Sequence, residues 1–342
     1  MCSAKQLSQA QRRALGIRRN PDGWYPAPSA STFSRLLSSA DLGAVDQAVR
    51  GFQAQVRGPP PRDELIVLDG KQPKHAGGHA FLTAETVPSQ HYLGCGIVAK
   101  QDKTNEIPVA RRPFSQLDLE GQLVRLDALH TQTETARDLV QEHGADYLLT
   151  VKDNQRGRHK TIQKLLPDTP AAFPPEDSTP TRACAQERNR SRQETRTLLS
   201  APTTPETVRF PAAAQVARVH RIVTGRQPET VALVTSASPQ RLDARAWLQL
   251  NRAGSGGIEN GLHQRLDVPH DDDRCRVRHP NSIGVLRILR RQANSLFMEC
   301  RSRQTNSRYL TTTDFAADMA AQGHRRAVMM ATAMNPTFTG AP

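Results

Sequence analysis

Two stretches of the chain share one pattern, a run of mainly apolar residues that stops at an aspartate. Leu65-Ile66-Val67-Leu68 ends at Asp69, and Leu123-Val124-Arg125-Leu126 ends at Asp127. Four consecutive apolar residues without alternation, as in the first run, predict a strand buried on both faces. Such strands need cover above and below the sheet, and with helices between strands further along the chain they suit a layered α/β architecture. Ala80 to Val87 and His91 to Ala99, joined by Pro88-Ser89-Gln90, read as two more strands completing an antiparallel meander. Pro113 to Leu119 reads as a short helix, Thr133 to His143 as a helix capped by Gly144, and Tyr147 to Val151 as a strand running into Lys152. The expectation is a mixed sheet flanked by helices.

The flanks are of a different character. Residues 1–61 read as a short helical N-terminal region, with helices over Gln6 to Leu15, Ser31 to Leu37 and Ala40 to Val56, and Ser31 and Ser39 as caps. Pro59-Pro60-Pro61 reads as a linker. Residues 156–240 read as a β-rich insertion: Pro167 to Pro180 is a Pro-rich loop, and Glu194 to Leu199, Thr207 to Val223 and Glu229 to Thr235 are β segments. Helix returns at Asp243 to Leu250. The stretch Gly257 to Val268 then repeats Ile258, Leu262 and Leu266 at helical spacing, with Glu259 and His263 sharing a second face and Pro269 ending it. Ile283 to Phe297 predicts an amphipathic helix within a segment, Arg274 to Arg303, that holds eight arginines against one acid, Glu299. The remainder, 306–342, reads as a tail.

Charge narrows the partners. Lysine and arginine number 46 against 33 acidic residues, a net +13. A surplus of that size favours a polyanion, nucleic acid before an anionic membrane. No run of about eighteen apolar residues would span a bilayer, and the first residues lack the apolar core of a signal peptide, so a cytoplasmic, nucleoid-associated protein is expected. The five cysteines are widely spaced, with no CxxC pair, which argues against a zinc site or a disulfide framework.

Asp69, Asp127 and Glu259 are the candidate catalytic and metal-binding residues. Three carboxylates can hold two divalent ions, one activating a water or hydroxyl and the other stabilising the leaving oxygen of a displacement at phosphorus. Oxygen ligands select magnesium or manganese over zinc. Each residue also has a plainer reading: strand-end aspartates are common, and Glu259 with His263 would serve as a solvated pair. Lys71 and Lys152 follow strand ends and are candidate phosphate contacts, as are Arg252, Arg265, Arg287, Arg290 and Arg291. The last three fall about one helical turn apart, on an edge expected to face DNA. His130 reads either as support for a metal at Asp127 or as a helix cap. Gly254-Ser255-Gly256-Gly257 makes a poor nucleotide loop, because no Lys-Ser/Thr follows it.

The words around these residues add to the pattern. Leu68-Asp69-Gly70-Lys71, Lys103-Thr104-Asn105-Glu106-Ile107-Pro108, Asp127-Ala128-Leu129-His130-Thr131-Gln132, Leu148 to Gln155, Glu194-Thr195-Arg196, Gly257 to His263 and Leu266-Asp267-Val268 occur in that order. The sequence resembles the DDE transposases of the ISAs-one type, the H-repeat-associated proteins, from about Pro28 to Leu296. The resemblance implies an RNase H-like core in two parts, 62–155 and 241–305, around the insertion. It implies that Asp69, Asp127 and Glu259 correspond to the metal-binding triad, with two Mg2+ or Mn2+ ions. It further implies cleavage at the terminal inverted repeats of an element and transfer of the freed 3′-hydroxyl into target DNA by a homodimer. The chain departs from the family pattern Arg-x-His-Trp-x-Ile-Glu-Asn: Arg252-Ala253-Gly254-Ser255-Gly256-Gly257-Ile258-Glu259 lacks the His and Trp and is one residue longer, and Gln264 stands where a Trp is usual. Those departures keep two other readings open, a catalytically decayed DNA-binding remnant and an RNase H-like nuclease with another substrate.

Overall fold

The computed structural model describes residues 4–71, 80–98, 117–126, 132–152, 155–167, 180–189, 192–257, 261–262, 264–270, 275–304 and 311–332. Asp127, Glu259, His130 and His263 lie outside the described residues, as do the Lys103 to Pro108 motif and most of the Pro-rich loop.

Helices α1 (Gln9–Ala14), α2 (Ala30–Ser39) and α3 (Leu42–Arg57) come first. Ser29 caps α2 and Asp41 caps α3 through side-chain bonds to Thr32 and Ala44, so the expected caps Ser31 and Ser39 are each displaced by two residues. The meander follows as β1 (Leu65–Lys71), β2 (Ala80–Val87) and β3 (Tyr92–Val98), then β4 (Leu123–Leu126), α4 (Thr133–Arg137, continued by a π-helical turn Asp138–Glu142), β5 (Asp146–Val151) and α5 (Arg156–Leu165). Gly144 takes φ +59° where the chain leaves that helix, a conformation that favours glycine. The expected helix ending at Leu119 is not present at Leu117 to Leu119, which are irregular.

The insertion supplies β6 (Thr181–Asn189), β7 (Arg192–Pro202), the one-turn helix α6 (Pro205–Val208), β8 (Gln215–Val223) and β9 (Glu229–Thr235). Two expectations change here. β6 was unforeseen, since Arg182, Gln186, Glu187 and Arg188 mask its β-propensity. The strand expected from Thr207 begins at Gln215, because Pro205 follows a Thr204 cap and starts a helical turn instead. These strands are not a separate layer. β9 pairs antiparallel with β5, giving a nine-stranded mixed sheet in the order β3-β2-β1-β4-β5-β9-β8-β7-β6.

Four helices close the chain: α7 (Ala244–Gly257), α8 (Gln264–His270), α9 (Pro280–Ser302) and α10 (Thr312–Thr332). α7 runs on through Gly254 to Gly257, and Pro269 lies inside α8 rather than ending it. One face of the sheet packs Ile66, Leu68, Val124, Leu126, Tyr147 and Leu149 against Ala136, Leu139, Ile162 and Leu166. The other packs Leu148, Leu198, Ala217, Val219 and Leu233 against Trp247 and Leu248 of α7. Both faces are covered, as the unbroken apolar run of β1 requires. No helix among the described residues is long and apolar enough to cross a membrane.

Candidate active site

β1 and β4 are neighbours in the sheet and run parallel, with Leu65, Ile66, Val67 and Leu68 opposite Leu123, Val124, Arg125 and Leu126. The last paired residue of β4 is therefore the one before Asp127, and its partner Leu68 is the one before Asp69. Asp69 opposes Thr83 of β2, and its side chain is 21% exposed. Asp127 follows Leu126 directly in the chain.

The segments on either side of Glu259 are anchored to the same two strands. On its N-terminal side, Arg125 of β4 donates from one guanidinium nitrogen to the Asn251 carbonyl at 3.1 Å and the Asn251 side-chain oxygen at 2.8 Å. Its other terminal nitrogen donates to the Ser255 hydroxyl at 2.8 Å. Gly254 lies under this side chain: a Cβ there would sit 2.7 Å from the Arg125 Cδ. On the C-terminal side, Leu262 and Leu266 are buried against Leu65, Val67 and Val87. The stretch 258–260 thus connects a helix tied to β4 with a turn packed on β1.

The arginines of α9 depart from expectation. Arg287 and Arg291 are 2% and 1% exposed, so neither lies on an outer edge facing solvent. Arg291 pairs with the Glu85 carboxylate of β2 at 2.7 Å and approaches Asp69 at 4.0 Å. Burial alone would lower the Arg291 pKa, but Glu85 and Asp69 outweigh it and hold the guanidinium charged. Arg287 stacks over the Phe81 ring, 5.3 Å from its centre. A buried guanidinium needs a partner, and for Arg291 that partner is Glu85 of β2. The sequence does not single out Glu85, because a lone acid in a strand reads as solvent-facing.

The other candidates scatter. Arg290 is partly exposed and Lys152 is exposed just past β5. Lys71 closes β1. Arg252 pairs with Glu187 of β6. Arg265 donates to the Asn294 side chain at 3.1 Å, and burial, with Arg301 adding to it, lowers its pKa to about 10. Among the described residues no three metal-ligating side chains come together, Asp127 and Glu259 not being among them.

No family model matches the chain. Curated relatives do. The chain is 27% identical to the "Putative transposase YncI" of Escherichia coli O157:H7, over 80% of its own length and 72% of that protein. It is 25% identical to the "H repeat-associated putative transposase YhhI" of Escherichia coli K12, over 77% and 71%. It is 32% identical to an uncharacterised protein in the dhlA 3′ region of Xanthobacter autotrophicus, over 53% and 63%. The chain is thus similar, over most of its length, to curated proteins named as putative transposases, among them an H repeat-associated one.

Proposed function

We propose that the protein is a DDE transposase that cleaves DNA at the terminal inverted repeats of an insertion element and transfers the freed 3′-ends into target DNA. The observation that supports it most is the in-register parallel pairing of β1 with β4, which brings the residues preceding Asp69 and Asp127 side by side. The anchoring of α7 to β4 and of Leu262 and Leu266 to β1 supports Glu259 as the third member.

The donor set fits a hard divalent cation, since all three candidates are carboxylates and Asp69 stays partly open to solvent with Arg291 beyond hydrogen-bond distance. Asp69, Asp127 and Glu259 would hold two Mg2+ or Mn2+ ions, which supply charge neutralisation at phosphorus and a more acidic attacking hydroxyl. The chain's own residues do the positioning. β1 and β4 would present the Asp69 and Asp127 carboxylates from neighbouring strand ends, and Arg125 fixes the helix that precedes Glu259. Arg291 holds Glu85 in an ion pair beneath Asp69, and so limits the carboxylate repulsion that would spread an unloaded site. The basic chain binds the DNA, and a homodimer would bridge two element ends.

A decayed, DNA-binding copy is the second reading, favoured by the loss of the family's His and Trp before Glu259. Mg2+-dependent nicking of a duplex carrying the inverted repeats that flank the gene supports the transposase. Binding without nicking in Mg2+ and in Mn2+ supports the remnant. Cleavage of RNA–DNA hybrid in preference to that duplex would support a nuclease. Inverted repeats with short direct duplications around the gene are a further expected finding.

A further inference from the structure

The outer half of the sheet, β6 to β9, separates its charges by face. Glu187, Glu194 and Glu229 all lie on the face that carries α7. There Glu194 takes Arg192 at 3.2 Å, Arg221 at 2.5 Å, and Arg196. Glu187 takes Arg196 at 3.6 Å, and Arg252 from α7. Glu229 takes Arg221 at 3.4 Å. Burial alone would raise the Glu194 pKa, but Arg221, Arg196 and Arg192 together hold it below the usual carboxylate range. Every acid of these four strands is thus neutralised on one side.

Among the described residues of these four strands, the opposite face carries no acid. Strand alternation places Arg182, Cys184, Gln186 and Arg188 of β6 on it, all exposed. The register continues the Cys184 row through Thr197 of β7, His220 of β8 and Thr230 of β9. A contact of 3.8 Å from Thr197 to Cys184 and one of 3.0 Å between His220 and Thr230 confirm that these side chains share a face. Ile222, 47% exposed, lies in the next row. Among the described residues, α5 covers this face only at its inner end, where Arg218 donates to the Leu166 carbonyl at 2.5 Å. Beyond that, no ion pair among the described residues engages Arg182 or Arg188.

We propose that this open face of β6–β9 is a docking surface for the sugar–phosphate backbone of duplex DNA, with Arg182 and Arg188 as its phosphate contacts. Charge complementarity argues for the occupant: the acids of these strands lie on the far side, and two guanidinium groups that no acid among the described residues engages stand on a flat surface of hydroxyl and amide side chains, groups that make backbone contacts without reading sequence. Arg182 and Arg188 are six residues apart on one strand, roughly 20 Å at about 3.3 Å per residue. That span brackets a major groove about 12 Å wide and reaches phosphates on both sides of it. The choice of DNA over other polyanions rests on the transposase reading; the surface itself does not. On α9, by contrast, Arg287 and Arg291 are buried and only Arg290 of the three is partly open.

Cys184 sits at the centre of the surface and reports on it. The full-length protein is alkylated with a maleimide, with and without a saturating duplex of unrelated sequence, and modification is read peptide by peptide. The proposal expects duplex DNA to slow modification of Cys184 at least several-fold, with Cys275 unaffected. In Arg182→Ser/Arg188→Ser, the dependence of log affinity on log salt should flatten by about two units, roughly 0.9 for each phosphate that is no longer neutralised. Both measurements work without Mg2+ and without cleavage, so failure to nick DNA leaves them standing. Unchanged Cys184 reactivity in a DNA complex, or no complex at all, overturns the proposal. An unchanged salt slope also overturns it, and leaves the two arginines as charges that keep an edge strand from pairing. Protection by polyglutamate but not by duplex would overturn it in favour of an acidic protein partner.

Discussion

Arg125 reaches across 130 residues of sequence to donate to the Ser255 hydroxyl at 2.8 Å, tying the strand that leads to Asp127 to the helix that leads to Glu259. The fit depends on Gly254, whose missing side chain leaves room for the guanidinium stem. Glycine inside a helix costs about 1 kcal/mol relative to alanine, so this position gives up stability for the close approach. Gly254→Ala should destabilise the wild-type protein, because its Cβ meets the Arg125 side chain. In an Arg125→Ala background the same substitution should stabilise by up to about 1 kcal/mol. A double-mutant cycle by denaturant unfolding measures the coupling; equal effects in both backgrounds would mean that the two residues do not meet.

The Glu85–Arg291 pair is buried on both sides, with side chains 3% and 1% exposed. Removing one partner strands a charge in the interior. Arg291→Met should therefore cost about 3–5 kcal/mol, and Glu85→Gln with Arg291→Met much less than the sum of the single changes. Chemical denaturation checks this. A loss under about 1 kcal/mol for Arg291→Met, typical of an exposed pair, would place the guanidinium in solvent after all.

His91 gives the stability a pH dependence. Burial, with the Arg57 charge adding to it and Glu299 opposing, lowers its pKa to about 4 from 6.5. The native imidazole is therefore neutral in a range where the unfolded one is protonated. Between pH 6.5 and 4 the unfolded state binds more protons, so stability falls as the pH drops through that window, by at most about 1.4 kcal/mol per pH unit from this group. In His91→Gln the melting temperature should fall less between pH 7 and pH 4.5 than in the wild type. Parallel curves would assign the acid sensitivity to other groups.

Local pattern carried much of the architecture. The unbroken apolar run of β1 and the matching stretch at β4 announced buried strands, and the aspartates marked their ends. The bend after α4 was legible in Gly144. What was not legible depended on partners distant in sequence. Glu85 and Arg291 lie 206 residues apart, and nothing local to either shows that the other exists. Arg287 and Arg291 therefore read as surface charge. β6 stayed hidden because alternation of charged with small residues is a weak strand signal until a neighbouring strand is in place. Likewise the role of Gly254 became visible only with Arg125 above it; by sequence it was a departure from a family pattern. The aspartate and glutamate candidates were found from residue type, strand ends and resemblance, whereas the pairing of β1 with β4 is a property of the fold.

The central claim is that Asp69 and its partners perform chemistry on DNA. Its most direct test compares the wild type with Asp69→Asn and Asp127→Asn on a duplex carrying the flanking inverted repeats, following Mg2+-dependent nicking and DNA binding side by side. The account predicts nicking by the wild type, a loss of at least about a thousandfold in each variant, and binding that is nearly unchanged and falls steeply with salt in all three. Nicking by Asp69→Asn at the wild-type rate would contradict it.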